Sequence, residues 1–263
     1  MRSRARLAAL ALLLASAVPA GAADELKTIP TRPGVTESFL LVRPPAAPVA
    51  GVILFAGGNG ALRLGSGGPR LGGNFLVRTR DRFAQHGLLV AVLDAPSDHA
   101  NGLVRFRSTL EHATDVRAVI AALRAMAPVP VWLVGTSMGT VSAANAAARL
   151  ENGGPDGLVL TSTVTRGSRE MIESVGDVRL QDITVPTLLV HHRDDTCQAS
   201  RYADAPGLVR EFPRAPRREL VTFEGGAPAE SGPCEARSPH GYLGIEPDVV
   251  KAIADWIKAA PRP

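Results

Sequence analysis

The most informative feature of the sequence is a serine flanked by glycines, in Gly135-Thr136-Ser137-Met138-Gly139. Apolar residues 131–134 precede it and predict a buried strand, while the alanine-rich residues 141–150 predict a helix after it. A strand, a glycine-flanked serine and a helix in this order are typical of a nucleophile elbow, in which the serine lies on a sharp turn. Glycines two residues before and after the serine leave room for that turn. The pattern therefore makes Ser137 a candidate nucleophile.

A serine hydroxyl needs a base and an orienting acid to act as a nucleophile near pH 7. Two of the six histidines, His191 and His192, lie at the end of a predicted strand, and Asp194 and Asp195 follow almost at once. A third histidine, His240, lies in a loop just before the last predicted helix. These positions supply the candidate base and the candidate acid.

The elements that must position these residues alternate between strands and helices. Strands are predicted at 38–43, 51–55, 88–93, 131–134, 157–161, 186–191 and 218–223, and helices at 74–86, within 105–127, at 141–150 and at 246–259. Most of these strands are wholly apolar, which predicts an α/β fold whose mostly parallel central sheet is covered by helices on both faces. The only segment available for a cap over the site is 163–182, so the cap is predicted to be short.

The order of serine, acid after a late strand and histidine in the final loop resembles that of the α/β-hydrolase fold. The similarity covers essentially the whole chain after residue 22. The stretch L-L-V-H-H-R-D-D resembles the family's strand plus H-G-x-x-D, which implies Asp195 as the triad acid. The stretch S-P-H-G-Y resembles the family's H-G-x pattern and implies His240 as the base. His192 stands where the family has glycine, and this departure keeps Asp194 as an alternative acid.

The same resemblance implies an oxyanion hole and an activity. The two amides of this oxyanion hole are those of Met138, which follows the nucleophile, and of Gly58, which lies in the glycine-rich loop after strand 51–55. In that loop, Ala56 stands where the family usually has a histidine. The implied activity is hydrolysis of carboxylic esters of small or medium substrates, with no cofactor and no metal. Two alternatives stay open, a serine peptidase of the same fold and a non-catalytic binding protein that retains it.

The amino terminus predicts export. Residues 1–22 combine three arginines, an apolar stretch of about fourteen residues and a small-residue cleavage site, which is typical of a secretory signal peptide. We therefore expect residues 23–263 to form a single periplasmic or secreted domain; an uncleaved anchor is the alternative. Because three of the 29 basic residues lie in 1–22, 26 basic residues remain against 25 acidic ones. With charges this balanced, we expect no nucleic-acid partner and no stable insertion into a membrane.

The sequence contains two cysteines, Cys197 and Cys234. Disulfides persist in exported proteins, so we expect the two residues to be paired. Cys197 lies two residues after Asp195, and Cys234 lies six residues before His240. A disulfide between them would tie the acid loop to the histidine loop.

Overall fold

One eight-stranded sheet organises the chain in a computed structural model, which describes residues 24–64, 69–167 and 172–260. The predicted signal peptide, residues 1–22, lies outside the described residues. The strands are β1 Glu25–Arg32, β2 Val35–Val42, β3 Ala50–Phe55, β4 Leu88–Leu93, β5 Val131–Thr136, β6 Gly157–Thr161, β7 Thr187–His192 and β8 Arg218–Phe223. The α-helices are α1 Phe75–Gln85, α2 Leu110–Met126, α3 Gly139–Arg149, α4 Ala205–Leu208 and α5 Glu246–Lys258.

The strand order is β1-β2-β4-β3-β5-β6-β7-β8. The first two pairings, β1 with β2 and β2 with β4, are antiparallel, and every other pairing in the sheet is parallel. The parallel strands β3, β4, β5, β6 and β7 are buried along their whole length, as their continuous apolar sequences predict. The prediction of a mostly parallel α/β sheet is confirmed.

Helices cover both faces of the sheet. Helices α2 and α3 pack together over one apolar cluster, which includes Val116, Val141 and Leu160. Helices α1 and α5 pack together over a second cluster, which includes Phe83 and Ile253. Because each face is covered, the carboxyl ends of the parallel strands open toward solvent only at the loops that follow them, which is where sheets of this kind build their sites.

The sequence does not predict β1. Its side chains alternate between half-buried and exposed, and it contains Pro30, so it reads as a polar segment. It forms at the sheet edge because only one side of it must pair, with β2.

The segment between β6 and β7 is short, as expected for the cap. Its described part contains two three-residue 3₁₀ helices, Val175–Asp177 and Leu180–Asp182. No helix in the described part of the chain is long and apolar enough to cross a membrane.

Candidate active site

Ser137 lies on the turn between β5 and α3, with a φ of +52°. This left-handed conformation is uncommon for a residue with a side chain and costs about 1–3 kcal/mol. The turn is so tight that it leaves no room for a side chain at either glycine. A Cβ on Gly135 would lie 2.5 Å from the carbonyl oxygen of Gly139, and a Cβ on Gly139 would lie 2.1 Å from the carbonyl oxygen of Phe55. Both glycines are therefore required for the turn, for the steric reason that the sequence pattern indicates.

His240 is paired with Asp195. The Nδ1 atom of His240 lies 2.9 Å from Oδ2 of Asp195, and both side chains are almost fully buried. Asp195 also accepts hydrogen bonds from the amide of Cys197 at 2.9 Å and from the hydroxyl of Ser200 at 3.2 Å. These donors hold the carboxylate in the position where it can accept a hydrogen bond from Nδ1–H of His240 and so orient the imidazole.

Asp194, the alternative acid, lies at the surface and does not contact His240. Its side chain is exposed, and its amide donates to Nδ1 of His192 at 3.0 Å. The other ring nitrogen of His192 lies 2.9 Å from the carbonyl oxygen of Gly225, so His192 holds the turn after β7. Of the two candidate acids, the structure brings only Asp195 to His240.

The Nε2 atom of His240 is buried and has no hydrogen-bond partner among the described residues. His240 and Ser137 line the same cavity, of about 350 Å³. With Nδ1–H donating to Asp195, Nε2 carries the lone pair that a general base uses. No hydrogen bond joins the hydroxyl of Ser137 to Nε2 of His240.

Two residues that the sequence reasoning missed hold the backbone of His240. The hydroxyl of Ser162 donates to the carbonyl oxygen of His240 at 2.7 Å. The hydroxyl of Tyr242 donates to the carbonyl oxygen of Val190 at 2.8 Å and accepts from the amide of Ser162 at 3.1 Å. Full burial raises the pKa of Tyr242, so it stays a neutral donor. Tyr242 is visible in the S-P-H-G-Y stretch, but its partner lies 80 residues earlier in the chain.

The predicted oxyanion donors, Met138 and Gly58, line a second cavity of about 280 Å³ that also contains Ser137. Met138 is the residue before α3, so its amide lies at the positive end of that helix. Neither amide donates a hydrogen bond to another described residue. A Cβ on the neighbouring Gly57 would lie 2.9 Å from Cβ of Ser137, so the loop packs directly against the turn that carries the serine.

Asp94, which directly follows β4, holds the loop after β3. Its carboxylate accepts hydrogen bonds from the amides of Leu62 and Leu64, both at 2.7 Å, and of Arg63 at 3.1 Å. A buried carboxylate that receives several amides fixes the loop in one conformation. Its signal in the sequence is an acidic residue at the end of an apolar strand.

The two cavities beside Ser137 share Gly58, Ser137 and Cys234 and together form the candidate active site. The structure pairs Cys234 with Cys197, as predicted. A larger cavity, of about 720 Å³, lies at the opposite edge of the sheet, where its lining includes Ala50 and Trp132 near the amino ends of β3 and β5. It lies away from the chemistry-bearing residues. Within residues 24–64, 69–167 and 172–260, no three histidine, cysteine or acidic side chains cluster in a way that could hold a metal ion.

The fold and this arrangement of residues define the class of α/β-hydrolases, and comparisons with known proteins agree. A model of the family described as serine aminopeptidase, S33, matches residues 74–210, just over half of the chain. The chain therefore belongs to the serine aminopeptidase S33 family, within the α/β-hydrolase superfamily. A comparison with curated proteins finds no significant match.

Several solved structures are similar to most of the chain. An α/β serine hydrolase without a lid from Xanthomonas campestris is 19% identical, with a TM-score of 0.58, 93% of this chain covered and 99% of the other. An esterase from Pyrococcus furiosus is 13% identical, with a TM-score of 0.64 and coverages of 90% and 91%. A dienelactone hydrolase from Anabaena variabilis is 19% identical, with a TM-score of 0.57 and coverages of 91% and 96%. At these identities the similarity establishes the fold.

Proposed function

We propose that the protein is a serine hydrolase that cleaves carboxylic ester bonds through an acyl-enzyme, with Ser137 as nucleophile, His240 as base and Asp195 as orienting acid. The observation that carries the proposal is the buried His240–Asp195 pair, because His240 lines the same cavity as Ser137 and its Nε2 has no hydrogen-bond partner among the described residues. A histidine held in this tautomer beside a serine on a strained turn is the arrangement that nucleophilic acyl transfer requires.

In the proposed reaction, Oγ of Ser137 attacks the ester carbonyl carbon while Nε2 of His240 accepts the hydroxyl proton. The amides of Met138 and Gly58 donate hydrogen bonds to the oxyanion that develops. The bond to the leaving oxygen breaks as His240 returns its proton to the alcohol, which leaves an acyl group on Ser137. Water then attacks this acyl group and gives its proton to His240. As the second tetrahedral intermediate breaks down, the bond between Oγ of Ser137 and the acyl carbon breaks and His240 returns its proton to Oγ, which releases the acid and restores the serine.

The dimensions of the site favour small or medium substrates. The two cavities measure about 280 and 350 Å³, and the cap segment between β6 and β7 is short. Val104 and Ile172 line the first cavity and are 60% and 41% exposed. Exposed apolar side chains at the entrance of a cavity favour an apolar group on the substrate.

We further propose that the protein acts outside the cytoplasm. The basic and apolar composition of residues 1–22 supports export, and the Cys197–Cys234 disulfide suits an oxidising compartment. Expression of the full chain, followed by sequencing of the amino terminus of the exported protein, tests this; a start at residue 23 is expected. Retention of residues 1–22 in the mature protein would contradict the cleavage site.

An aminopeptidase is the second candidate function, and the description of the family model favours it. Such an enzyme must bind the free ammonium group of its substrate, which needs a carboxylate in the site. Glu173 lines the first cavity, but its carboxylate already accepts hydrogen bonds from the amide of Arg105 at 2.7 Å and the hydroxyl of Ser108 at 2.9 Å. The buried guanidinium of Arg107 lines the same cavity and opposes a second cation there. This arrangement favours the ester substrate.

The experiment that tests the proposal is labelling of the mature, oxidised protein with a fluorescent fluorophosphonate, which reacts covalently with activated serines. We expect labelling of the wild-type protein and none of Ser137→Ala or His240→Ala. Parallel rates on 4-nitrophenyl acyl esters and on aminoacyl 4-nitroanilides then separate the two functions, with faster cleavage of the esters expected.

Other outcomes identify the alternatives. Labelling together with cleavage of the anilides alone would establish the peptidase. A folded wild-type protein that is neither labelled nor active on either panel would refute catalysis and favour a binding protein that retains the fold.

A further inference from the structure

Arg107 is a buried cation beside the candidate active site whose role the triad does not explain. It is 1% exposed and lines the same cavity as Ser137 and Met138. Among the described residues, the hydrogen-bond partners of its guanidinium are one hydroxyl and two carbonyl oxygens, and none is a carboxylate. Burial lowers the pKa of Arg107 to about 10, although the charge of Glu173 opposes this. A buried charge without a paired countercharge is costly, so its position needs an explanation.

The guanidinium is instead hydrogen bonded to the loop after β3 and to α3. Its Nη2 donates to the carbonyl oxygen of Gly58 at 3.1 Å and, in a longer contact of 3.5 Å, to that of Ala56. Its Nη1 donates to the hydroxyl of Ser142 at 2.8 Å. Arg107 thus bridges the loop that carries one predicted oxyanion donor and the helix that begins beside the other.

The two carbonyl groups identify what this bridge does. The amide of Gly58 belongs to the peptide group between Gly57 and Gly58. The carbonyls of Ala56 and Gly58 belong to the peptide groups on either side of it. Because peptide groups are planar, only the φ and ψ angles of the two glycines then decide where the Gly58 amide points. Glycine restricts these angles less than any other residue, so a Gly-Gly amide needs an external restraint to stay in one orientation.

The loop is shaped around this guanidinium. Gly60 has a φ of +82°, and a Cβ at that position would lie 2.6 Å from Nη2 of Arg107. The amide of Leu103 donates to the carbonyl oxygen of Asn59 at 2.8 Å, which ties the segment before Arg107 to the same loop. The contact is therefore built from both sides and is not an incidental approach of a long side chain.

We propose that Arg107 is a positioning residue that orients the Gly58 amide toward the oxyanion by holding the peptide groups on both sides of it. The inference rests on the proposed serine hydrolase function. In this role Arg107 does not contact the substrate. It restrains the Gly58 amide, which would otherwise be free to change its orientation.

The test compares Arg107→Met and Arg107→Lys with wild type on a 4-nitrophenyl ester. Loss of one oxyanion donor lowers kcat by about 10²–10³-fold, and a donor that is misplaced part of the time loses less. We expect Arg107→Met to lower kcat by about 10- to 100-fold and to change KM by less than about twofold, because the hydrogen bond is made mainly in the transition state. Arg107→Lys keeps the charge but not the fork of donors, so we expect an intermediate kcat.

A trifluoromethyl ketone inhibitor supplies a readout that a purely structural role would not change. It forms a tetrahedral adduct with Ser137 whose oxyanion occupies the hole, so its affinity should fall by the same factor as kcat in each variant that folds. Arg124→Met is the matched control. Arg124 also donates to a backbone carbonyl, that of Gly154 at 2.8 Å, but near the carboxyl end of α2. Its removal should leave kcat and inhibitor affinity within about twofold of wild type.

The outcomes separate this inference from the function on which it rests. A wild-type protein without Ser137-dependent hydrolysis refutes the proposed function. An active wild type, with a folded Arg107 variant that keeps wild-type kcat and inhibitor affinity, refutes only the inference. Should Arg107→Met fail to fold, Arg107→Lys, which retains a buried cation, decides the question on the same two measurements.

Discussion

Reduction of the Cys197–Cys234 disulfide should lower both the thermal stability and the activity of the protein. The two cysteines are 37 positions apart, and the bond closes the segment that runs from the acid loop to the histidine loop. The chain-entropy model gives a stabilisation of about 4 kcal/mol for a loop of this size, as an upper value. For a domain of this length, about 1 kcal/mol corresponds to about 2–4 °C in Tm. We therefore expect reduction to lower Tm by up to about 8–15 °C.

The effect on activity follows from what the disulfide holds. The amide of Cys197 donates to Oδ1 of Asp195, and Cys234 lies in residues 224–238, which contain no helix or strand, just before His240. Without the bond, the Asp195–His240 pair depends on its own contact and on Ser162. If about 1 kcal/mol of the lost restraint acts on this pair, kcat falls about fivefold.

The assay is a thermal melt and an ester-hydrolysis rate, each with and without a phosphine reductant. Alkylation and mass spectrometry verify that both thiols are free. Because the chain contains two cysteines only, the reductant acts on this bond alone. The double variant Cys197→Ala with Cys234→Ala is the control. Its Tm and hydrolysis rate should equal those of reduced wild type and should not change when the reductant is added. Verified reduction that leaves Tm within about 2 °C and kcat unchanged would refute the reasoning.

Four further substitutions test other parts of the site and the core. Asp195→Asn should lower kcat by about 10³–10⁴-fold, because the imidazole loses its orienting charge, whereas Asp194→Asn should change it less than twofold in the same ester assay. Tyr242→Phe should lower the free energy of unfolding by about 1 kcal/mol, measured in urea, because the buried hydroxyl no longer donates to the carbonyl oxygen of Val190 or accepts from the amide of Ser162. His112→Leu should make the protein less sensitive to acid. Burial, with a smaller contribution from nearby positive charges, lowers the pKa of His112 to about 3, so between about pH 6.5 and 3 the unfolded chain binds a proton that the folded chain does not. The free energy of unfolding of wild type should therefore be about 2 kcal/mol lower at pH 5 than at neutral pH because of this residue alone. The leucine variant should not show this decrease.

Each of these predictions has a result that contradicts it. Equal activity losses in Asp194→Asn and Asp195→Asn would show that Asp195 is not the acid that orients His240. Tyr202→Phe is the control for Tyr242→Phe. Among the described residues, the hydroxyl of Tyr202 forms a hydrogen bond only with the hydroxyl of Thr222, at 3.1 Å, in a half-buried position. Equal destabilisation by the two substitutions would count against the network around Ser162. A wild-type protein and a His112→Leu variant with parallel stability curves between pH 7.5 and 5 would show that His112 is not a buried neutral group.

The sequence by itself determined the features that depend on neighbouring residues. The apolar runs predict the parallel strands, because a strand that is buried on both faces consists almost entirely of apolar residues. The glycines at 135 and 139 define the turn at Ser137, since each lies within two residues of the serine and excludes bulk there. The order of serine, acid and histidine was readable because the fold always brings the carboxyl ends of these strands to one edge of the sheet.

The tertiary structure decided the contacts between residues that are distant in the chain. Asp194 and Asp195 are adjacent in sequence, but only one can face His240, and the turn held by His192 decides which. The hydrogen bonds of Ser162 to the histidine loop and of Arg107 to the loop after β3 join residues about 50 to 80 positions apart. No local pattern encodes such pairs, because a polar side chain contributes little to stability within its own helix or loop. It becomes favourable only when folding brings a buried partner within hydrogen-bond distance.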